Sequence, residues 1–248
     1  PVGTTGESPT LDMGEHIRVI ETAIDATAGR IKVIAGTGGN ATAEALTLTK
    51  HAKDAGADGT LQVTPYYNKP TDAGLIRHFT DIADIGLPVI LYNIPGRTGL
   101  SLSFGLLEEL AGHPNIVAIK EAGGDVDRVS HLVRRCDLEI LSGDDMLTLP
   151  MMAVGGIGVI SVASNIIPRE LHDMVHNVLD GNWDRARDLH RTYHELFCTL
   201  FIETNPIPVK TSLHLMGRME AVFRPPLAPM GDENLSSLRA SLKNIGLV

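Results

Sequence analysis

Short runs rich in β-branched and other apolar residues recur along the first two thirds of the chain, at residues 31–36, 60–64, 88–93, 116–120, 138–142 and 157–161. Their starts are 29, 28, 28, 22 and 19 residues apart. Amphipathic segments fill the gaps and carry helix stop signals: 41–55 ends at Gly56, 72–85 at Gly86, and 103–111 at Gly112 followed by Pro114. Near-continuous apolar strands joined by helical crossovers predict a parallel sheet covered on both faces, hence an α/β fold.

An open nucleotide-binding sheet usually carries G-x-G-x-x-G after its first strand. Gly36-Thr37-Gly38-Gly39-Asn40 does not have that spacing and reads as a tight strand-to-helix turn. A (β/α)8 TIM barrel fits better, because the polar residues gather just after the strands, where barrel active sites are built. They are Thr4, Thr5, Glu7, Thr37, Asn40, Tyr66, Tyr67, Tyr92, Asn93, Arg97, Lys120, Glu121, Ser142, Asp144, Asp145 and Ser161. Strand signals stop after Pro168. The expected organisation is a barrel over residues 1–182 and a C-terminal helical domain over 183–248, suited to packing or oligomer contacts.

With 248 residues, 43% of them hydrophobic, the chain can bury a sizeable core. Twenty-one Lys and Arg against thirty Asp and Glu give a net charge of −9, which argues against a surface that tracks nucleic-acid phosphates. The longest apolar stretches, 85–92 and 154–167, are broken well short of the ~20 residues of a membrane helix, so no membrane partner is expected. Cys136 and Cys198 show no close spacing and read as free thiols of a cytoplasmic protein. The ten histidines form no H-E-x-x-H pattern, and Asp144 and Asp145 have no nearby His, so neither a metal nor a cofactor is expected.

The segment Asn115-Ile116-Val117-Ala118-Ile119-Lys120-Glu121 ends an apolar strand on a lysine. That lysine either reaches solvent or serves as a Schiff-base nucleophile, whose amine must be neutral and is helped by an enclosed pocket. Tyr92 ends the preceding strand as a packed aromatic or as the proton shuttle that imine chemistry needs, and Thr4 and Tyr67 could extend it into a hydroxyl relay. Arg97, in a loop expected over the pocket mouth, suits either a surface salt bridge or bidentate capture of a substrate carboxylate.

Six segments carry a resemblance: Gly3-Thr4-Thr5-Gly6-Glu7-Ser8, Pro65-Tyr66-Tyr67-Asn68-Lys69-Pro70, Tyr92-Asn93-Ile94-Pro95-Gly96-Arg97-Thr98-Gly99, Ile119-Lys120-Glu121-Ala122, Ser142-Gly143-Asp144-Asp145 and Asn205-Pro206-Ile207-Pro208-Val209-Lys210. Together they resemble the dihydrodipicolinate synthase family of pyruvate-dependent class I aldolases, over the whole chain. The resemblance implies a metal-free lyase that joins pyruvate to aspartate 4-semialdehyde on the diaminopimelate route to lysine. It implies Lys120 as Schiff-base residue and Tyr92 as proton donor and acceptor. Thr4 and Tyr67 would complete the relay, Tyr67 coming from a neighbouring subunit of a homotetramer built as a dimer of dimers. Thr5 and Ile160 would hold the pyruvate imine, Gly143 would line the pocket through its backbone, and Arg97 would bind the semialdehyde carboxylate.

Related aldolases, of the N-acetylneuraminate lyase or sugar-acid type, share the scaffold and the lysine; Arg97 favours a small acidic substrate over a sugar. A barrel that only binds is the other alternative, against which stands the retention of every reactive group named. Ser8, Pro9, His16, Asn40, Glu44 and Tyr66 match the family's lysine-effector positions, while Met13 stands where some inhibited members carry histidine, so inhibition is expected to be weak or partial. Finally, the six strands plus a strand stump at Pro1-Val2 fall short of eight, so an N-terminal extension of roughly 40 residues is expected to complete the barrel.

Overall fold

The computed structural model describes residues 1–248. The chain forms two compact units, one of Pro1–Leu141 with Val154–Gly156, the other of Ser142–Ala153 with Ile157–Val248. Six strands are hydrogen-bonded neighbours in chain order, and parallel pairing runs through the first four. The fold is α/β, as the rhythm of apolar runs predicts.

The first unit opens with 3-10 turns at Thr4–Gly6 and Ser8–Thr10, followed by α1, Met13–Thr27. A capping box starts α1: Glu15 N donates to Asp12 Oδ1 at 2.8 Å and Asp12 N to Glu15 Oε2 at 3.1 Å. Strand–helix units then follow as β1 (Ile34–Gly36), α2 (Thr42–Ala55), β2 (Gly59–Val63), α3 (Asp72–Ala83) and β3 (Val89–Asn93). After them come the single turn α4 (Pro95–Thr98), α5 (Phe104–Ala111), β4 (Ile116–Glu121), α6 (Val126–Arg135) and β5 (Glu139–Ser142), whose last residue belongs to the second unit. Helix starts follow local chemistry, since Thr71 and Ser103 accept backbone N–H bonds from Gly74 and Leu106. Leu75, Phe79 and Ile82 of α3, Leu107 and Leu110 of α5, and Leu91 and Ile119 of the strands are fully buried, each contributing roughly 1.5–3 kcal/mol of burial.

The second unit contains α7 (Thr148–Ala153), β6 (Gly158–Val159), α8 (Pro168–Leu179), α9 (Trp183–Thr199), α10 (Ile207–Leu215) and α11 (Asp232–Asn244). Its core brings Leu171 and Met174 of α8 together with Leu196 and Phe197 of α9 and Leu238 and Leu242 of α11. No helix is long and apolar enough to cross a membrane.

Three local expectations are corrected. The first strand is three residues, because Asp58 takes the Val33 N–H at 2.8 Å and the Lys32 ammonium at 2.7 Å, leaving Ile31 and Lys32 exposed. The sixth strand is two residues, because beyond Ile160 the N–H groups of Val162 and Ala163 donate to Asp145 Oδ2, each at 3.0 Å, instead of to a strand. Pro1-Val2 is not a strand: one bond, Gly36 N to Pro1 O at 2.8 Å, ties it to β1, and Val2 turns the chain at a φ of 58°.

Candidate active site

Parallel register sets Tyr92 beside Val63 on one side and beside Lys120 on the other. Tyr92 is 5% exposed, and the Lys120 ammonium nitrogen lies 4.1 Å from the centroid of its ring. The Tyr92 hydroxyl is hydrogen-bonded with the Thr4 side chain, carried in by the first 3-10 turn. Burial raises the Tyr92 pKa, while the Thr4 bond and the positive charge of Arg97 pull it the other way. The phenol therefore stays protonated at neutral pH and is available as a donor.

Thr4, Tyr92 and Arg97 line one cavity of about 490 Å³ in the first unit. Arg97, expected in an open loop, sits on the single turn α4, which Pro95 starts at its first position and Gly99 ends in the left-handed region. Its side chain is exposed at the cavity wall, as a group that captures an incoming anion must be. Thr5 is half-buried in the same 3-10 turn as Thr4.

Tyr67 is not brought to this cavity by its own chain. It is 92% exposed and held at a φ of 73°, a left-handed conformation that is costly for a bulky residue. Gly143 follows β5 and Ile160 follows β6, both in the second unit, where Ile160 N donates to Ser142 O at 2.9 Å.

The residues matching effector positions are drawn together. Ser8, Pro9, His16, Glu44 and Tyr66 line the same cavity, and Asn40 Nδ2 donates to Tyr66 O at 3.3 Å. His16 Nε2 lies 2.7 Å from Gly36 O; burial lowers its pKa, opposed by that carbonyl and by Glu44. Tyr66 is pushed up by burial and then by the charge of Glu44. Met13 is exposed at the start of α1 and does not line the cavity.

Several strand-end polar residues point away from the cavity. Thr37 joins a fully buried hydroxyl cluster with Thr49 and Thr60, to which Gln62 Nε2 donates at 2.7–3.0 Å. Asn93 and Glu121 are also fully buried, and with them stands Arg128 of α6, which the sequence reading missed. Its only signal is a cation seven residues after the Glu121 carboxylate, a separation without meaning until α6 folds back over β4.

Known proteins supply an independent comparison. The profile of the Dihydrodipicolinate synthetase family matches residues 1–245. The 4-hydroxy-tetrahydrodipicolinate synthase of Aquifex aeolicus is 54% identical over 99% of this chain and 85% of its own. The crystal structure of dihydrodipicolinate synthase from that organism superposes with a TM-score of 0.97, over 99% of this chain and 85% of that one. A chloride-inhibited dihydrodipicolinate synthase from Acinetobacter baumannii, complexed with pyruvate, is 46% identical with a TM-score of 0.96, covering 100% of this chain and 86% of that one. The enzyme from Cyanidioschyzon merolae with lysine bound is 43% identical with a TM-score of 0.96, over 100% and 85%.

Proposed function

Because the chain belongs to the dihydrodipicolinate synthetase family, we infer that it is a lyase that condenses pyruvate with aspartate 4-semialdehyde through an imine on Lys120, giving 4-hydroxy-tetrahydrodipicolinate for lysine biosynthesis. The observation that carries the residue assignment is the Lys120 nitrogen 4.1 Å from the Tyr92 ring, with Tyr92 bonded to Thr4 on a cavity that Arg97 also lines. The neutral amine of Lys120 attacks the pyruvate ketone carbon and the Tyr92 hydroxyl protonates the departing hydroxyl, so water leaves and an imine remains. A methyl proton then passes to the Tyr92 phenolate left by that step, while the electrons of its C–H bond move into the cationic imine, making an enamine. Its carbon adds to the aldehyde, whose oxygen takes up a proton, and the semialdehyde's own amine displaces Lys120 as the ring closes. One water is released overall and the enzyme is regenerated.

The other roles belong to the same proposal. Arg97 binds the semialdehyde carboxylate, and Thr5 holds the pyruvate imine. Roles for Ile160 and Gly143 rest on the family resemblance alone. The strands are read as those of a (β/α)8 barrel followed by a helical domain from residue 183, in a cytoplasmic homotetramer. The exposure of Tyr67 supports its being supplied to a neighbouring subunit. Borohydride reduction with pyruvate, followed by peptide mass analysis and a turnover assay with aspartate semialdehyde, tests the function. A reduced pyruvyl adduct on Lys120 together with turnover is expected. Trapping without turnover points to the related aldolases, and no trapping to a binding protein.

A second activity of the same cavity, partial inhibition by lysine, is favoured by the convergence of Ser8, Pro9, His16, Glu44 and Tyr66 on its wall.

A further inference from the structure

Asn93 and Glu121 follow Tyr92 and Lys120 by one residue each, and they are paired in the β3–β4 register. Successive side chains of a strand point to opposite faces, so this pair stands directly behind the two reactive groups. Behind them the polar groups close into a ring. Asn93 Nδ2 donates to Glu121 Oε1 at 2.8 Å and Oε2 at 3.0 Å, and Arg128 Nε donates to Oε2 at 2.9 Å. Arg128 Nη2 donates to Leu102 O at 2.6 Å, and Leu102 N returns to Asn93 Oδ1 at 3.0 Å. Gly123 N adds a bond to Glu121 Oε1 at 2.8 Å.

The Glu121 side chain is 0% exposed and that of Arg128 13% exposed. A buried ion pair is a weak source of net stability, because apolar residues of similar volume usually serve as well or better. What this one supplies is geometry. Four segments (the ends of β3 and β4, the start of α6, and the stretch leading from α4 to α5) are held by bonds with a fixed direction.

We propose that Asn93, Glu121 and Arg128 are positioning residues that hold Tyr92 and Lys120 in the mutual placement imine formation requires. The inference rests on the function proposed above. Errors of about 1 Å in such placement can cost on the order of a hundredfold in rate.

The test compares the whole enzyme with Glu121→Gln, Arg128→Gln and the double variant, using borohydride trapping of pyruvate on Lys120, steady-state kinetics and thermal melting. Each single variant leaves a buried charge without its partner, whereas the two amides of the double variant can bond each other. In folded single variants the trapping rate and kcat should fall about tenfold or more, with the KM for aspartate semialdehyde within about twofold, and the double variant should recover most of the rate. Val178→Ala, a core change on α8, serves as a destabilised control that keeps the wild-type trapping rate. Should a charge variant not fold, Asn93→Ala, which leaves the ion pair in place, carries the same comparison. Folded network variants that trap pyruvate as fast as wild type would overturn the positioning role while leaving the function intact. Wild-type enzyme that traps nothing on Lys120 would overturn both.

Discussion

At the scale of single residues, the site depends on the different environments of Tyr92 and Arg97. Tyr92 is enclosed and its pKa is raised by burial, which suits the proposed proton donor, whereas Arg97 stands exposed at the cavity wall, which suits the proposed capture of an anionic substrate. Lys120→Ala is expected to abolish the borohydride-trapped adduct. Tyr92→Phe keeps the ring face beneath Lys120 and removes only the hydroxyl, so pyruvate binding should persist while kcat drops by about 10²- to 10⁴-fold, the usual loss with an acid–base group. A Tyr92→Phe enzyme with unchanged kcat would remove Tyr92 from the mechanism. Arg97→Ala should raise the KM for aspartate semialdehyde far more than that for pyruvate, and equal effects in a two-substrate kinetic matrix would contradict its role.

Between elements, the packing of α2 on α3 contains a buried titratable group. His78 on α3 is 4% exposed, its Nδ1 lies 2.9 Å from Thr42 Oγ1, and its Nε2 has no hydrogen-bond partner. Burial depresses its pKa to about 4, against an ordinary value of 6.5, with Asp81 opposing. Between those two values the unfolded chain binds a proton that the folded chain refuses, so stability rises with pH. The contribution is present above pH 6.5 and is lost progressively as the pH falls from 6.5 to about 4. At pH 5 the loss should be about 2 kcal/mol, on the order of what a shift of this size implies. His78→Gln keeps an acceptor for Thr42 but does not titrate. Its urea-unfolding free energy should therefore fall less between pH 7.5 and 5 than that of the wild type, and identical slopes would refute the effect.

For the whole molecule, the proposed assembly centres on Tyr67, exposed on its own chain and excluded from its own cavity. If a neighbouring subunit uses it, Tyr67→Phe and Tyr92→Phe proteins, each impaired alone, should regain activity when dissociated and reassembled together, because some sites then receive both hydroxyls. Sedimentation should show a tetramer. No recovery in mixed tetramers would rule out supply of Tyr67 by a neighbouring subunit. Lysine titration of the same enzyme should give a plateau of partial inhibition, because Met13 supplies no polar contact where a histidine could; complete inhibition at micromolar lysine would contradict that.

The sequence by itself determined the alternation of strands and helices, because buried parallel strands and amphipathic crossovers leave their periods and stop signals in the order of residues. It also supplied Tyr92, Lys120 and Arg97 as neighbours-to-be, since strand ends of a parallel sheet gather on one edge whatever the details of packing. The ends of β1 and β6 were not legible, because they depend on where the Asp58 and Asp145 carboxylates intercept backbone N–H groups. Nor could sequence separate Tyr92, on the cavity wall, and Lys120, beside its ring, from Asn93 and Glu121, which are buried in a polar network. The alternation of strand faces and the return of Arg128 on α6 decided that, and a buried charge finds its partner only when distant segments have packed.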